Sequence, residues 1–216
     1  MRVRHNGRMR FGVVAAALVL AALPLAGRTV AYHDVYFGSS YIVNTEQRYC
    51  DTSIQSQCVA NDASHFYGLI DLSTSRAAAT TRALSNLYGA NSDINVFTSN
   101  SSDLRVYETN SILDVYAWGQ CAVGATYGGS DAAHTRWCQP QNIYWNTRSA
   151  VASKVNSTAK YNYIGCHEVG HTVGLRHRSG TPSTCMVPAS PPSSSSPVPS
   201  IDYNASADYV RINDHY

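Results

Sequence analysis

Charge is what this 216-residue chain has least of. Only 14% of its residues are Asp, Glu, Lys or Arg. Glutamate occurs three times, at positions 46, 108 and 168. That scarcity excludes a charge-driven disordered chain and a strongly basic nucleic-acid binder. No internal repeat is visible, which excludes a solenoid. No Cys-x-x-Cys pair occurs, so the six cysteines do not form a cysteine-rich zinc cluster of the usual spacing. There is a single long apolar run, Phe11 to about Ala26, and no second one.

That run follows Arg2, Arg4, Arg8 and Arg10 and precedes small residues suited to cleavage near Gly27 or Ala31. It reads as a secretory signal over residues 1–31. A membrane anchor is the rival reading, but the run is short for a span. The remainder, 32–216, is expected to be one domain, secreted after cleavage, without a membrane span and monomeric. Residues 1–31 carry five of the 16 basic side chains and none of the 14 acidic ones, so the exported part has net charge −3. The apparently basic balance belongs to the export signal and predicts no nucleic-acid partner.

What is present in quantity is apolar: 44% hydrophobic residues, with 15 tyrosines. Residues 34–43 read as a first strand, 44–65 as a loop and 73–89 as a helix that Ser73 or Ser75 caps and Gly89 ends. Strand-like pieces follow at 93–99, 103–109, 113–123, 124–129 and 142–146. A second helix reads through 159–174, a Ser/Pro segment occupies 189–200, and a short terminal helix occupies 206–216. This order predicts an α+β, mixed α/β layer: a twisted sheet with two helices against it. Cys50, Cys58, Cys121, Cys138, Cys166 and Cys185 all lie in the exported part, where an even count implies disulfides. The preferred pairing joins sequential neighbours: 50–58, 121–138 and 166–185.

The chemistry concentrates at His167–His177, "HEVGHTVGLRH". On a helix, four residues turn about 400°, so His167 and His171 share a face about 6 Å apart along the axis. Glu168 sits about 100° away, placed to take a proton from a water beside an ion rather than to bind the ion. Gly174 permits a sharp turn that returns the chain with His177 as a third nitrogen ligand. Three histidines with an open fourth position are the catalytic zinc pattern. The full HExxHxxGxxH string has a chance expectation on the order of 10⁻⁵ in a chain of this composition. His33, His65, His134 and His215 are expected to be surface or hydrogen-bonded residues.

These residues, with Met186 in "STCMVP" nine positions after His177, resemble the metzincin zinc metallopeptidases, most nearly their matrixin-type branch. The resemblance covers roughly residues 159–216. It implies a mainly five-stranded twisted sheet with two long helices and a C-terminal helix, and a cleft between two lobes. It implies one catalytic zinc held by His167, His171 and His177, with Glu168 as general base and Met186 in the turn beneath the metal. The activity it implies is cleavage of peptide bonds in proteins or peptides. Substrate would lie against a sheet edge, for which Gly124, Ala125, Thr126 and Tyr127 are the candidates, although their glycine neighbours equally suit a plain turn. Pro188 stands where other branches place a further tyrosine ligand. No cysteine-switch segment and no matrixin calcium loop is recognisable. A zinc-binding module without turnover, and an amidohydrolase of non-peptide amides, are the alternatives.

Overall fold

The computed structural model describes residues 63–88, 92–99, 102–128, 137–175, 177, 184–187, 194–195, 198–203 and 208–213. Strand β1 (Ser64–Leu69) leads into helix α1 (Thr74–Leu87), followed by β2 (Asn95–Thr98), β3 (Leu104–Thr109), β4 (Ala117–Gly128) and β5 (Trp137–Asn146). A single turn, α2 (Ser149–Ala152), then precedes α3 (Thr158–Thr172), and α4 (Val210–Asn213) ends the described chain. The five strands form one sheet in the order β2-β1-β3-β5-β4. All neighbours are parallel except β4, which runs antiparallel to β5 along one edge. The fold is thus a mixed α/β layer, as the sequence predicts.

Alternation decides which strand residues face the helices. Leu104 and Val106 on β3, and Ile143 and Trp145 on β5, are buried on the helix side. Tyr107, Tyr144 and Trp118 instead form a stacked row, with centroids 5.5 and 5.3 Å apart along it. Helix α1 meets the sheet and α3 through Ala79, Ala83, Leu84 and Leu87 of its apolar stripe, whereas Tyr88, which the sequence adds to that stripe, sits at the C-cap and is exposed. Its start differs in detail from expectation. Ser73 occupies the N-cap, but its hydroxyl accepts from Arg76 rather than from the helix backbone, while its N–H donates to Glu108. Helix α3 is capped in the ordinary way, the Ser157 hydroxyl accepting from the Lys160 N–H at 3.3 Å.

Two expectations change. Residues 44–65 overlap a strand that begins at Ser64. His65 disguises β1 because it is polar yet buried, its Nε2 lying 3.2 Å from the Thr172 hydroxyl at the end of α3. The pieces at 113–123 and 124–129 are one strand, β4. Its register runs from Cys121 opposite Gln141 to Thr126 opposite Gln139, five steps against two, and the surplus carries a fully exposed Val123. Of the terminal helix expected at 206–216, the described residues show α4 at Val210–Asn213, and 206–207 and 214–216 lie outside them. The strand expected at 34–43 and the Cys50–Cys58 pair lie outside them. The bridges 121–138 and 166–185 are both present. No helix among the described residues is long and apolar enough to cross a membrane.

Helices α1 and α3 touch backbone to backbone at Gly165, where an added Cβ would lie 2.8 Å from the Ala79 carbonyl oxygen. A main-chain neighbour cannot rotate away. Gly165→Ala is therefore expected to lower unfolding free energy in urea by about 1–3 kcal/mol. An unchanged midpoint and slope would show that this crossing tolerates a methyl group.

Candidate metal centre

His167 and His171 stand one turn apart on α3, both buried. The helix ends immediately afterwards, and the way it ends makes the third position. Leu175 N–H bonds back to the Gly170 carbonyl at 2.9 Å and Gly174 N–H to the His171 carbonyl at 3.0 Å. This is a Schellman closure, and it needs a left-handed residue after the cap. Gly174 supplies it at φ 87°. The reversed chain then brings His177 to the other two histidines.

The three Nε2 atoms converge. They lie 2.9 Å (His167–His177), 3.1 Å (His167–His171) and 3.2 Å (His171–His177) apart. Among the described residues these histidines form a group able to hold a metal ion. The far side of two rings fixes their tautomers. His167 Nδ1 lies 2.8 Å from the Cys185 carbonyl, and His171 Nδ1 lies 2.7 Å from the Leu175 carbonyl. A carbonyl only accepts, so each Nδ1 carries the proton and each Nε2 turns a lone pair inward. Two such lone pairs 3.1 Å apart repel, and a single proton on His177 would relieve only one of them. A cation satisfies all three. Ligand nitrogens of a tetrahedral zinc site, bonded at about 2.0–2.1 Å, stand about 3.3–3.4 Å apart. The triad is already within a few tenths of an ångström of that spacing, so the donor set fits zinc.

Glu168 is buried beside the triad on α3. Burial pushes its carboxyl up to about 8, against the pull of a hydrogen bond from the Gly119 N–H of β4. Gly119 sits on the outermost strand, opposite Ile143. The sheet edge that reaches the site is therefore near Gly119. Gly124, Ala125, Thr126 and Tyr127 belong to the same strand and lie at and beyond its register shift.

The segment containing Met186 packs against α3 beside His167. The Met186 side chain packs under α3 at Gly170, where an added Cβ would fall 2.4 Å from Sδ. Several bonds hold this segment. The Cys166–Cys185 bridge ties it to the residue before His167. Cys185 N–H donates to the Asp202 carbonyl at 2.9 Å, Thr184 Oγ1 donates to Asp208, and Tyr163 Oη donates to the Val187 carbonyl at 2.7 Å. Tyr163 also packs against the His167 ring, centroids 5.7 Å apart. Sequence reasoning finds the three histidines, Glu168, Cys166, Cys185 and Met186. It misses Gly119, Tyr163, and the Cys185 and Leu175 carbonyls. Backbone groups leave no trace in residue identity. Tyr163 carries a weak one, standing one turn before His167 on the same helix.

No family model matches this chain, and no curated protein matches it. Among solved structures that do match is that of myroilysin. It is 18% identical, over 54% of this chain and 43% of that one, with a TM-score of 0.32. The matched region spans less than half of that chain, and a likeness so slight carries no argument about fold or chemistry.

The raised Glu168 carboxyl has a measurable consequence in metal-free protein. The fold favours its protonated form. The associated stability is fully present below the ordinary value of 4.5 and is lost as pH rises through about 8. Glu168→Gln abolishes that loss. Urea unfolding of the two metal-free proteins should show the variant gaining on wild type between pH 4.5 and 8, by on the order of 3–5 kcal/mol at the upper end. Parallel pH profiles would mean that Glu168 is not held in a desolvated site.

Proposed function

We propose that the chain is a secreted, zinc-dependent endopeptidase of metzincin type. The observation that carries the reading is the convergence of three Nε2 atoms within 3.2 Å, two with their Nδ1 protons committed elsewhere, beside a buried carboxyl bonded to the edge strand. His167, His171 and His177 would hold zinc and leave its fourth position open. Zinc, when bound, lowers the pKa of water and draws electron density from a scissile carbonyl.

The remaining steps fall to the chain itself. Glu168 accepts the proton of the attacking water and delivers it to the leaving amine nitrogen. A cation in the triad favours the ionised carboxylate, which offsets the burial that otherwise keeps it protonated. The Gly119 N–H holds that carboxylate at the edge of β4. An extended peptide laid along this edge would bring its carbonyl over the triad. The two disulfides are consistent with an extracellular protein. Glu168 also favours turnover over a purely structural zinc site, which has no need of a buried base.

Purified protein loaded with zinc should hydrolyse casein, and a chelator should abolish the activity until zinc is restored. Glu168→Gln should retain zinc and lose about 10²–10⁴ of the rate. Zinc retention by wild type without chelator-sensitive hydrolysis would defeat the enzyme reading. Full activity in Glu168→Gln would defeat the mechanism.

A further inference from the structure

The disulfide between Cys166 and Cys185 does more than join two segments. Its covalent loop, 19 residues apart in sequence, encloses His167, His171, Gly174 and His177. Every proposed ligand therefore lies inside one ring. The ring closes at the two ends that orient the first ligand. Cys166 is the residue before His167, and the Cys185 carbonyl accepts the His167 Nδ1 proton at 2.8 Å. Both cysteines are fully buried. The other bridge, Cys121–Cys138, sits apart in a small cluster with Ala122 and Ala125 on β4 and β5.

We infer that the Cys166–Cys185 pair is a positioning device that makes metal retention depend on oxidation: the chain holds zinc tightly only after this bridge has closed. The inference rests on the metal-site reading above. With the bridge open, the Cys185 carbonyl is held near His167 by its neighbours alone. The Cys185 N–H bond to Asp202, the Thr184 bond to Asp208 and the Tyr203 Oη bond to the Cys166 carbonyl all remain. These should keep the fold but let the carbonyl and imidazole separate. Loss of a partner that orients a metal-bound histidine weakens metal binding by about 10–100-fold. Opening the ring adds chain entropy to the ligand segment in the metal-free state, which acts in the same direction.

Closure is a thiol–disulfide exchange. The two thiols lose their protons, a bond forms between the Sγ atoms of Cys166 and Cys185, and the electron pair passes to a disulfide oxidant that departs as two thiols. Because the finished bridge is buried, a reductant does not readily reach it in the folded protein. Oxidation thus comes first and tight metal retention second. A chain still in a reducing compartment would remain poorly loaded, and therefore without hydrolytic capacity, until export.

The test measures zinc affinity by equilibrium competition with a chromophoric chelator. It compares the full chain with Cys166→Ala/Cys185→Ala and Cys121→Ala/Cys138→Ala, each checked by circular dichroism. The first pair should bind zinc about 10–100-fold more weakly, and the second within about threefold of wild type. Wild-type affinity in folded Cys166→Ala/Cys185→Ala overturns the inference, as does an equal loss in both pairs. Should that variant not fold, wild type refolded with zinc from its reduced, unfolded chain in glutathione buffers of graded potential serves instead, read by native mass spectrometry after alkylation. Zinc should then be confined to molecules with Cys166 and Cys185 unalkylated. Zinc in molecules alkylated at both positions overturns the inference. If oxidised wild type binds no zinc, the metal-site reading fails and takes the inference with it, whereas equal binding by wild type and variant sinks the inference alone.

Discussion

Two imidazole Nδ1–H groups and the carbonyls that receive them govern the arrangement around this site. Once His167 donates to the Cys185 carbonyl and His171 to the Leu175 carbonyl, both Nε2 lone pairs must point into the same small volume. Placing them 3.1 Å apart is electrostatically unfavourable, and positive charge between them relieves that cost. The surrounding structure serves to keep those two carbonyls in place. The Leu175 carbonyl is presented by the Schellman turn at Gly174, and the Cys185 carbonyl by the bridge to Cys166 and the bonds of its neighbours.

The sheet and helices supply rigidity to that arrangement from the other side. Helix α3 is clamped between α1, which approaches it closely at Gly165, and the Met186 segment, which approaches it at Gly170. Its last residue, Thr172, receives His65 from β1 through its hydroxyl and Gln141 from β5 through its carbonyl. The end of the helix, where the chain must reverse to deliver His177, is thus tied to two strands. Glu168 is reached by a backbone N–H of β4. The general base of the proposed reaction and the strand proposed to carry substrate are therefore coupled through one hydrogen bond.

Much of this was legible in the residues because the relevant physics is local. The spacing of four between His167 and His171 is a statement about helical pitch, and Gly174 after His171 is a statement about φ. Both depend on a handful of neighbouring residues, and both appear in the structure as expected. The succession of helices and strands from residue 73 onward follows for the same reason, except that β4 is one strand rather than two and the single turn α2 has no counterpart in the sequence reading. Strand β1 was not legible, because its inward-facing His65 is polar and its burial depends on Thr172, 107 residues away. The resemblance offers Gly124–Tyr127 as the substrate edge, whereas the stretch that meets Glu168, at Gly119, is set by strand order and register. Backbone acceptors such as the Cys185 carbonyl are invisible in sequence altogether, although the cysteine that carries one was not.

The central claim is that His167, His171 and His177 hold one zinc ion through nitrogen alone, with a fourth position left to water. X-ray absorption at the zinc edge of the loaded, oxidised protein tests this most directly. The account predicts three nitrogen scatterers at about 2.0–2.1 Å and one oxygen, with an imidazole signature and no sulfur. A sulfur shell at about 2.3 Å would contradict it, as would a site with fewer than three imidazoles.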